Sequence, residues 1–247
     1  MCNQSKFVQD FLPTLKDHLL GQLTETPDDG FTDQDRRQLV IYNNRIFCHK
    51  TLRINFTTYD CRRDQDVINT STRSDVMVLA DQDADPESIH PYWYGRVIGI
   101  FHALVRRMSG TMAYERMDFL WVRWYGLEPH VRWGFKARRL LKIGFFNSDT
   151  DADTFGFVNP CDVIRAVHLI PAFNLGKTSR LLSHSIARRS EEGDEDYECY
   201  NVNMYIYTLI SPYQSANEGQ VRGSGHDLTL LWLGTGSHSN VGDIESV

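Results

Sequence analysis

The sequence of 247 residues has no long apolar run and no excess of positive charge. Every long apolar stretch contains a charged residue or His, so none approaches the roughly 20 apolar residues that a membrane-spanning helix needs. The first ten residues also lack the apolar core of a secretory signal. We therefore expect an intracellular protein that is neither secreted nor bound to a membrane.

Cysteine and histidine patterns typical of metal sites are also missing. The cysteines are odd in number, widely spaced and form no C-x-x-C pair, which argues against a disulfide framework and a Cys-based zinc site. They are Cys2, Cys48, Cys61, Cys161 and Cys199. The nine histidines show neither H-E-x-x-H nor H-x-H spacing. No metal ion and no cofactor is expected.

Catalytic signatures are equally scarce. Leu175-Gly-Lys-Thr-Ser179 resembles the end of a phosphate-binding loop, but Pro171 stands where that pattern needs Gly. The carboxylates at 60, 64, 66 and 75 could cluster as in a partner-dependent nuclease, yet the arginines among them favour salt-bridged loops. We expect no enzyme activity and no small-molecule substrate from this chain.

The chain does contain enough apolar mass for a core, since 41% of its residues are hydrophobic and 12% aromatic. Its 26 basic and 32 acidic residues give a net charge of −6. A protein that bound a polyanion with its whole surface would usually be basic, so any contact with DNA must come from a local patch.

Residues 131–146 supply such a patch, because they include five basic side chains and no acidic one. Trp133 and Phe135 lie between the basic residues, and this mixture suits phosphate contacts combined with base stacking. The nucleic-acid-binding candidates are Arg132, Lys136, Arg138, Arg139 and Lys142. The alternative is that the aromatic rings belong to the core and the cations pair with acidic loops.

Apolar periodicity predicts a helix over residues 7–23 and β-strands from residue 38 onward. Asn43-Asn44 is a turn signal, and residues 60–74 read as a loop. The strongest strand signals are residues 92–101 and 117–125, in which Gly95 and Gly99 suggest close backbone approach or barrel-like coiling. Trp93, Val97 and Phe101 are expected on one face.

These patterns predict a mainly β (α+β) fold, a curled antiparallel sheet or small barrel with an N-terminal amphipathic helix. Residues 1–36 would form the helix and a linker, residues 37–206 the β-rich module, and residues 207–247 a poorly ordered or altered tail.

Six aromatic side chains of the two central strands could also form a cation–π cage for a methylated lysine. They are Tyr92, Trp93, Tyr94, Trp121, Trp124 and Tyr125. At strand spacing, the alternative is that most of these rings lie in the core.

The strand pattern of residues 75–79, 92–101 and 120–126 resembles that of bromo-adjacent homology (BAH) modules, which are small β-rich chromatin readers. This resemblance implies a BAH-like module and, as one alternative function, the reading of a methylated histone by the six aromatic candidates.

A longer resemblance covers about residues 7–206. Segments 15–21, 54–60, 62–66, 90–94, 117–124, 155–157, 163–173 and 200–205 are similar to the C-terminal region of fungal Plavaka-type transposases, relatives of the CACTA group. The resemblance implies nuclear, DNA-associated biology, with a cytoplasmic location as the alternative. In that family the acidic catalytic core lies upstream, and nothing here corresponds to it or to the expected N-terminal zinc finger.

The likeness to the transposases ends after Tyr205. The family continues with an acidic-basic segment and a Gly-rich stretch ending in Gly-His, whereas here residues 207–220 interrupt it. Val221-Arg-Gly-Ser-Gly-His226 resembles a displaced remnant of that stretch. Our hypothesis is an altered or mis-spliced gene end, which transcript sequencing across residues 207–220 would test.

Together, the patterns and the resemblance predict a non-catalytic C-terminal binding module of a transposase-like protein. Its expected partners are DNA, chromatin or a transposase. The alternatives are a BAH-like reader of methylated histone, a partner-dependent nuclease fragment, and an inactive fragment with no selected function.

Overall fold

The structure is a computed structural model that describes residues 4–26, 30–57, 62–80, 90–109, 112–128, 133–134, 137–148, 151, 154–182, 184–185, 187–189 and 193–203. The expected tail at 207–247 lies outside the described residues, as do Arg132, Lys136 and Asp60.

Two helices precede a series of antiparallel strands. The elements are α1 (Gln4–Thr24), α2 (Asp33–Gln38), β1 (Leu39–His49), β2 (Thr51–Thr57), β3 (Arg63–Asn69), β4 (Asp75–Leu79), β5 (Tyr92–Arg107), β6 (Glu115–Leu127), β7 (Lys142–Phe145), β8 (Phe155–Val158), β9 (Val163–Ala166), β10 (Leu169–Pro171), β11 (Lys177–Thr178), β12 (Asp196–Tyr197) and β13 (Tyr200–Val202). The predicted helix is confirmed, with Pro13 inside it.

The long hairpin of β5 and β6 organises a nine-stranded sheet. Each outer edge of this hairpin is shared by two neighbours, because β4 and β1 pair with successive parts of β5, and β7 and β8 pair with different parts of β6. The sheet continues through β9 beyond β4 and through β13 and β10 beyond β7. The predicted mainly β fold is confirmed, as a curled antiparallel half-barrel with an N-terminal helix.

Three hydrophobic clusters hold this sheet together. The helix cluster joins α1 to β1, β5 and β6 through Leu15, Leu19, Leu20, Leu39, Ile41, Ala103, Val105 and Phe119. The barrel cluster fills the curl with Met77, Tyr94, Tyr125, Leu141, Ile143, Phe145, Val167, Leu169, Tyr200 and Val202. Each fully buried large apolar side chain contributes about 1.5–3 kcal/mol.

The third cluster, the hairpin cluster, lies on the opposite face under β2 and β3. Its members are Leu52, Ile54, Ile68, Val76, Val78, Val97, Ile100, Leu120, Val122, Val158 and Val163. The loop expected over residues 60–74 is therefore partly wrong, because β3 pairs with β2 along its whole length. Ile68 is buried in the hairpin cluster, and this apolar contact stabilises the otherwise polar segment as a strand.

The turn expected at Asn43-Asn44 is a bulge within β1. Both residues have positive φ, +52° and +50°, as the Asn pair indicated. The strand nevertheless continues along β5, with Ile41 opposite Val105 and Ile46 opposite Ala103. The left-handed backbone indicated by the Asn pair is confirmed. The predicted turn is wrong, because the chain does not reverse its direction there.

A second bulge changes the expected face of Phe101. The β5–β6 register shifts between Val97 and Gly99. Val97 consequently lies in the hairpin cluster, while Phe101 packs against the helix cluster. The expected alignment of Val97 and Phe101 on one face is wrong because one extra residue reverses the alternation.

Within the described residues, no helix combines the length and the apolar character needed to cross a bilayer.

Candidate functional site

Gly134 and Arg139 of the basic segment form a bridge before β7, and we call the described residues around it, 133–134 and 137–142, the loop. Gly134 donates its N–H to the carbonyl of Arg139 at 2.9 Å, and Arg139 donates back to the carbonyl of Gly134 at 3.4 Å. Arg138 lies between them with φ +50°. Arg138 and Arg139 are exposed. The loop thus presents two adjacent guanidinium groups to solvent.

Both ends of this loop are fixed to the half-barrel. Trp133 packs against the barrel cluster, and its ring centroid lies 5.0 Å from that of His90. Leu141 is a buried member of the same cluster. Lys142 follows as the first residue of β7 and is half-buried. Trp133 is therefore core-facing, whereas Arg138 and Arg139 remain on the surface.

His90, which supports Trp133, is a buried imidazole enclosed by aromatic rings. Its ring also lies 5.8 Å from Tyr92 and 5.6 Å from Tyr94, between centroids. The pKa of His90 is lowered because burial penalises its charged form, although a hydrogen bond with the backbone of Tyr92 opposes this. A neutral, packed histidine thus lies beneath one end of the basic loop.

The structure does not bring the six cage candidates together. Tyr94 and Tyr125 lie in the barrel cluster, whereas Trp93 and Trp124 meet on the other face of the sheet, with centroids 6.0 Å apart. The Trp121 ring packs edge-to-face on Phe11 of α1. The remaining candidate, Tyr92, is half-buried beside His90. Trp93 is the most exposed of the six, with 46% of its surface accessible.

A partly buried ionic network lies inside the curl at Asp75. Arg96 donates from Nε to Oδ1 of Asp75 at 2.9 Å, and the Tyr125 hydroxyl donates to the same oxygen at 2.8 Å. The Arg96 guanidinium also lies 4.9 Å from the ring centroid of Phe145. Burial raises the pKa of Tyr125 well above its usual value, so this hydroxyl stays protonated.

A second buried network centres on Asp196. Its two carboxylate oxygens accept hydrogen bonds from Arg123 at 3.1 and 3.0 Å, and one of them also accepts from Arg188 at 3.1 Å. The Arg123 guanidinium lies over the ring of Phe145 at 3.8 Å. This network ties the segment around β12 to the central strand β6.

The carboxylates proposed for a nuclease occupy separate environments. Asp66 accepts hydrogen bonds from Arg165 Nε at 2.8 Å and from the backbone of Ala166 at 3.1 Å. Asp75 lies in the network described above, and Asp64 is exposed on β3. Arginines from distant strands neutralise Asp66 and Asp75, instead of the neighbouring arginines expected from the sequence.

Sequence reasoning missed a cleft of about 600 Å³ at the mouth of the half-barrel. Arg96, Asp75 and Asp196 line it together with Tyr197 and Tyr200. Three further cations and one further carboxylate border it, namely Arg73, Lys177, Arg189 and Glu195. Such a cleft leaves no local signal, because its lining comes from six separate parts of the chain, at 72–75, 96, 166–171, 177, 189 and 195–200.

Comparison of the chain with protein-family models, with curated proteins and with solved structures gave no match. The function is therefore inferred from the residues and their geometry, and the resemblance to transposases remains a prediction.

Proposed function

We propose that this chain is a non-catalytic module that binds DNA through the loop that carries Arg138 and Arg139. In this proposal it serves as the C-terminal part of a transposase-like protein and works in the nucleus. The observation that carries the proposal is the pair of exposed guanidinium groups on Arg138 and Arg139, held on a loop whose two ends are fixed in the barrel cluster.

A fixed loop with exposed arginines suits phosphate binding for two reasons. Guanidinium groups form paired hydrogen bonds with phosphate oxygens, and an anchored backbone reduces the conformational entropy that is lost on binding. The chain is acidic overall, so a local cluster is needed to attract DNA.

Fluorescence anisotropy with a labelled DNA duplex over a series of salt concentrations tests the proposal. Each neutralised phosphate contributes about −0.9 to the slope of log affinity against log salt. We expect Arg138→Gln with Arg139→Gln to reduce that slope by about 1.8, and the double reversal to Glu to abolish binding.

Arg62→Glu with Arg63→Glu is the matched control, because these two arginines are also adjacent and exposed. It changes the net charge by the same amount and should leave more affinity than the reversal at Arg138 and Arg139. Salt-independent binding, or equal losses from the two double variants, would refute the role of the loop.

A further inference from the structure

Three side chains with metal-ligating atoms meet where β1, β5 and β6 run side by side. His102 lies directly opposite Asp118 in the β5–β6 register. His49 lies on β1, two residues after Phe47, which is the register partner of His102. Side chains two positions apart point to the same face of a sheet, so His49 reaches His102 diagonally.

The distances within this group, which we call the His–His–Asp cluster, are short. Nε2 of His49 and Nδ1 of His102 are 2.7 Å apart. One ligand atom from each of the three residues lies within 4.8 Å of the others. Among the described residues, this is the one group of three or more His, Cys, Asp or Glu side chains that comes together in this way.

The packing around the cluster fixes these atoms in place. The Phe47 ring stacks on His102 with centroids 4.7 Å apart and planes within 10°. Arg116 donates from Nε and Nη2 to Oδ1 of Asp118, at 3.0 and 2.9 Å. These hydrogen bonds orient the carboxylate and occupy Oδ1, and 31% of the Asp118 side chain is accessible to solvent. The cluster is thus ordered and still reachable by an ion.

We propose that His49, His102 and Asp118 bind a divalent transition-metal ion, for which Zn²⁺ is the reference. Two imidazole nitrogens and one carboxylate oxygen form a three-ligand set that zinc accepts, with a further position open to water. The site is independent of the proposed DNA loop, which lies elsewhere in the chain.

The rings need only a small adjustment to accept the ion. Two nitrogens bound to tetrahedral zinc at about 2.05 Å lie about 3.3 Å apart. The present separation of 2.7 Å must therefore increase by about 0.6 Å, which small side-chain rotations provide. The hydrogen now shared between the rings moves to the other nitrogen of its own imidazole, so both ligands bind as neutral rings.

A substitution at Arg116 distinguishes a metal site from a pair of histidines that serves packing alone. Its cation pairs with Asp118 and would repel a dication. Arg116→Gln removes that repulsion and keeps a hydrogen-bond donor, so the proposal predicts tighter zinc binding in this variant. A histidine pair that serves packing alone gives no reason for such a gain.

The test uses full-length, tag-free protein stripped of metal, titrated with Zn²⁺ against a chromophoric competitor and with Co²⁺ by visible absorption. Loss of an outer-sphere partner commonly weakens metal binding about 10–100-fold, so Asp118→Asn and His49→Gln should weaken it at least about 10-fold. His168→Ala is the control, because His168 is exposed and lies outside the cluster.

The proposal is supported if the wild-type chain binds one equivalent of zinc. The affinity for zinc must also fall in Asp118→Asn and His49→Gln, rise in Arg116→Gln and stay unchanged in His168→Ala. Circular dichroism of each variant checks that the fold is retained. Wild-type affinity in the Asp118→Asn and His49→Gln variants would overturn the proposal, as would the absence of a one-to-one site in the wild-type chain.

Discussion

Asp196 offers the most direct test of the buried networks, because it pairs with two arginines that have little access to water. The Arg123 and Asp196 side chains are 3% and 2% exposed, and that of Arg188 is 4% exposed. Asp196→Asn keeps the shape but removes the charge, and its amide group points hydrogens at one guanidinium. Removing one partner of a buried ion pair costs about 3–5 kcal/mol, because the charge left behind is desolvated without compensation.

Urea unfolding followed by tryptophan fluorescence measures this loss. With a slope of about 2 kcal/mol per molar urea, a loss of 3–5 kcal/mol lowers the midpoint by about 1.5–2.5 M. Glu198→Gln is the matched control, since Glu198 lies two residues away and pairs with Arg180 at 3.3 Å. The Arg180 side chain is 82% exposed, so this variant should lose at most about 1 kcal/mol. Equal midpoint shifts in the two variants would refute the reasoning.

Two further predictions concern a thiol and an imidazole. Burial and the carboxylate of Glu128 raise the pKa of Cys199 to about 11. Alkylation at pH 8 should therefore modify Cys199 more slowly than the exposed Cys48 and Cys161, as measured by peptide mass spectrometry. Equal rates would contradict this. The lowered pKa of His90 means that the unfolded chain, with a histidine pKa of about 6.5, takes up a proton before the folded chain does. The free energy of unfolding should therefore fall as the pH drops below about 6.5, and His90→Gln should reduce that dependence when unfolding is measured at several pH values.

Local signals predicted the parts of the fold that depend on neighbouring residues. Apolar spacing predicted α1, and the strong strand signal over residues 117–125 falls within β6. The close approach expected at Gly95 is present, because a Cβ atom there would lie 3.2 Å from the Trp124 ring. The buried apolar stripe that specifies α1 lies within the helix itself, whereas the ring that approaches Gly95 comes from the paired strand β6.

Pairing between distant strands produced the features that the sequence did not indicate. His49 and His102 are 53 residues apart, and Arg123 and Asp196 are 73 apart, so no spacing rule could join them. The bulge after Val97 likewise depends on how β5 matches β6. Basic composition identified the loop at Arg138 and Arg139, but the location of Trp133 in the core required the structure.

The way in which neighbours share the edges of the central hairpin has a consequence for synthesis of the chain on the ribosome. β4 pairs with β9 and β7 pairs with β13, so the nine-stranded sheet cannot be completed until residue 202 has left the ribosome. Until then, β4 and β7 expose unpaired backbone groups that could join strands of other nascent chains. Shortening the protein before β9 should therefore yield aggregates in place of a smaller folded unit, and chaperone capture during translation should be strongest over that interval.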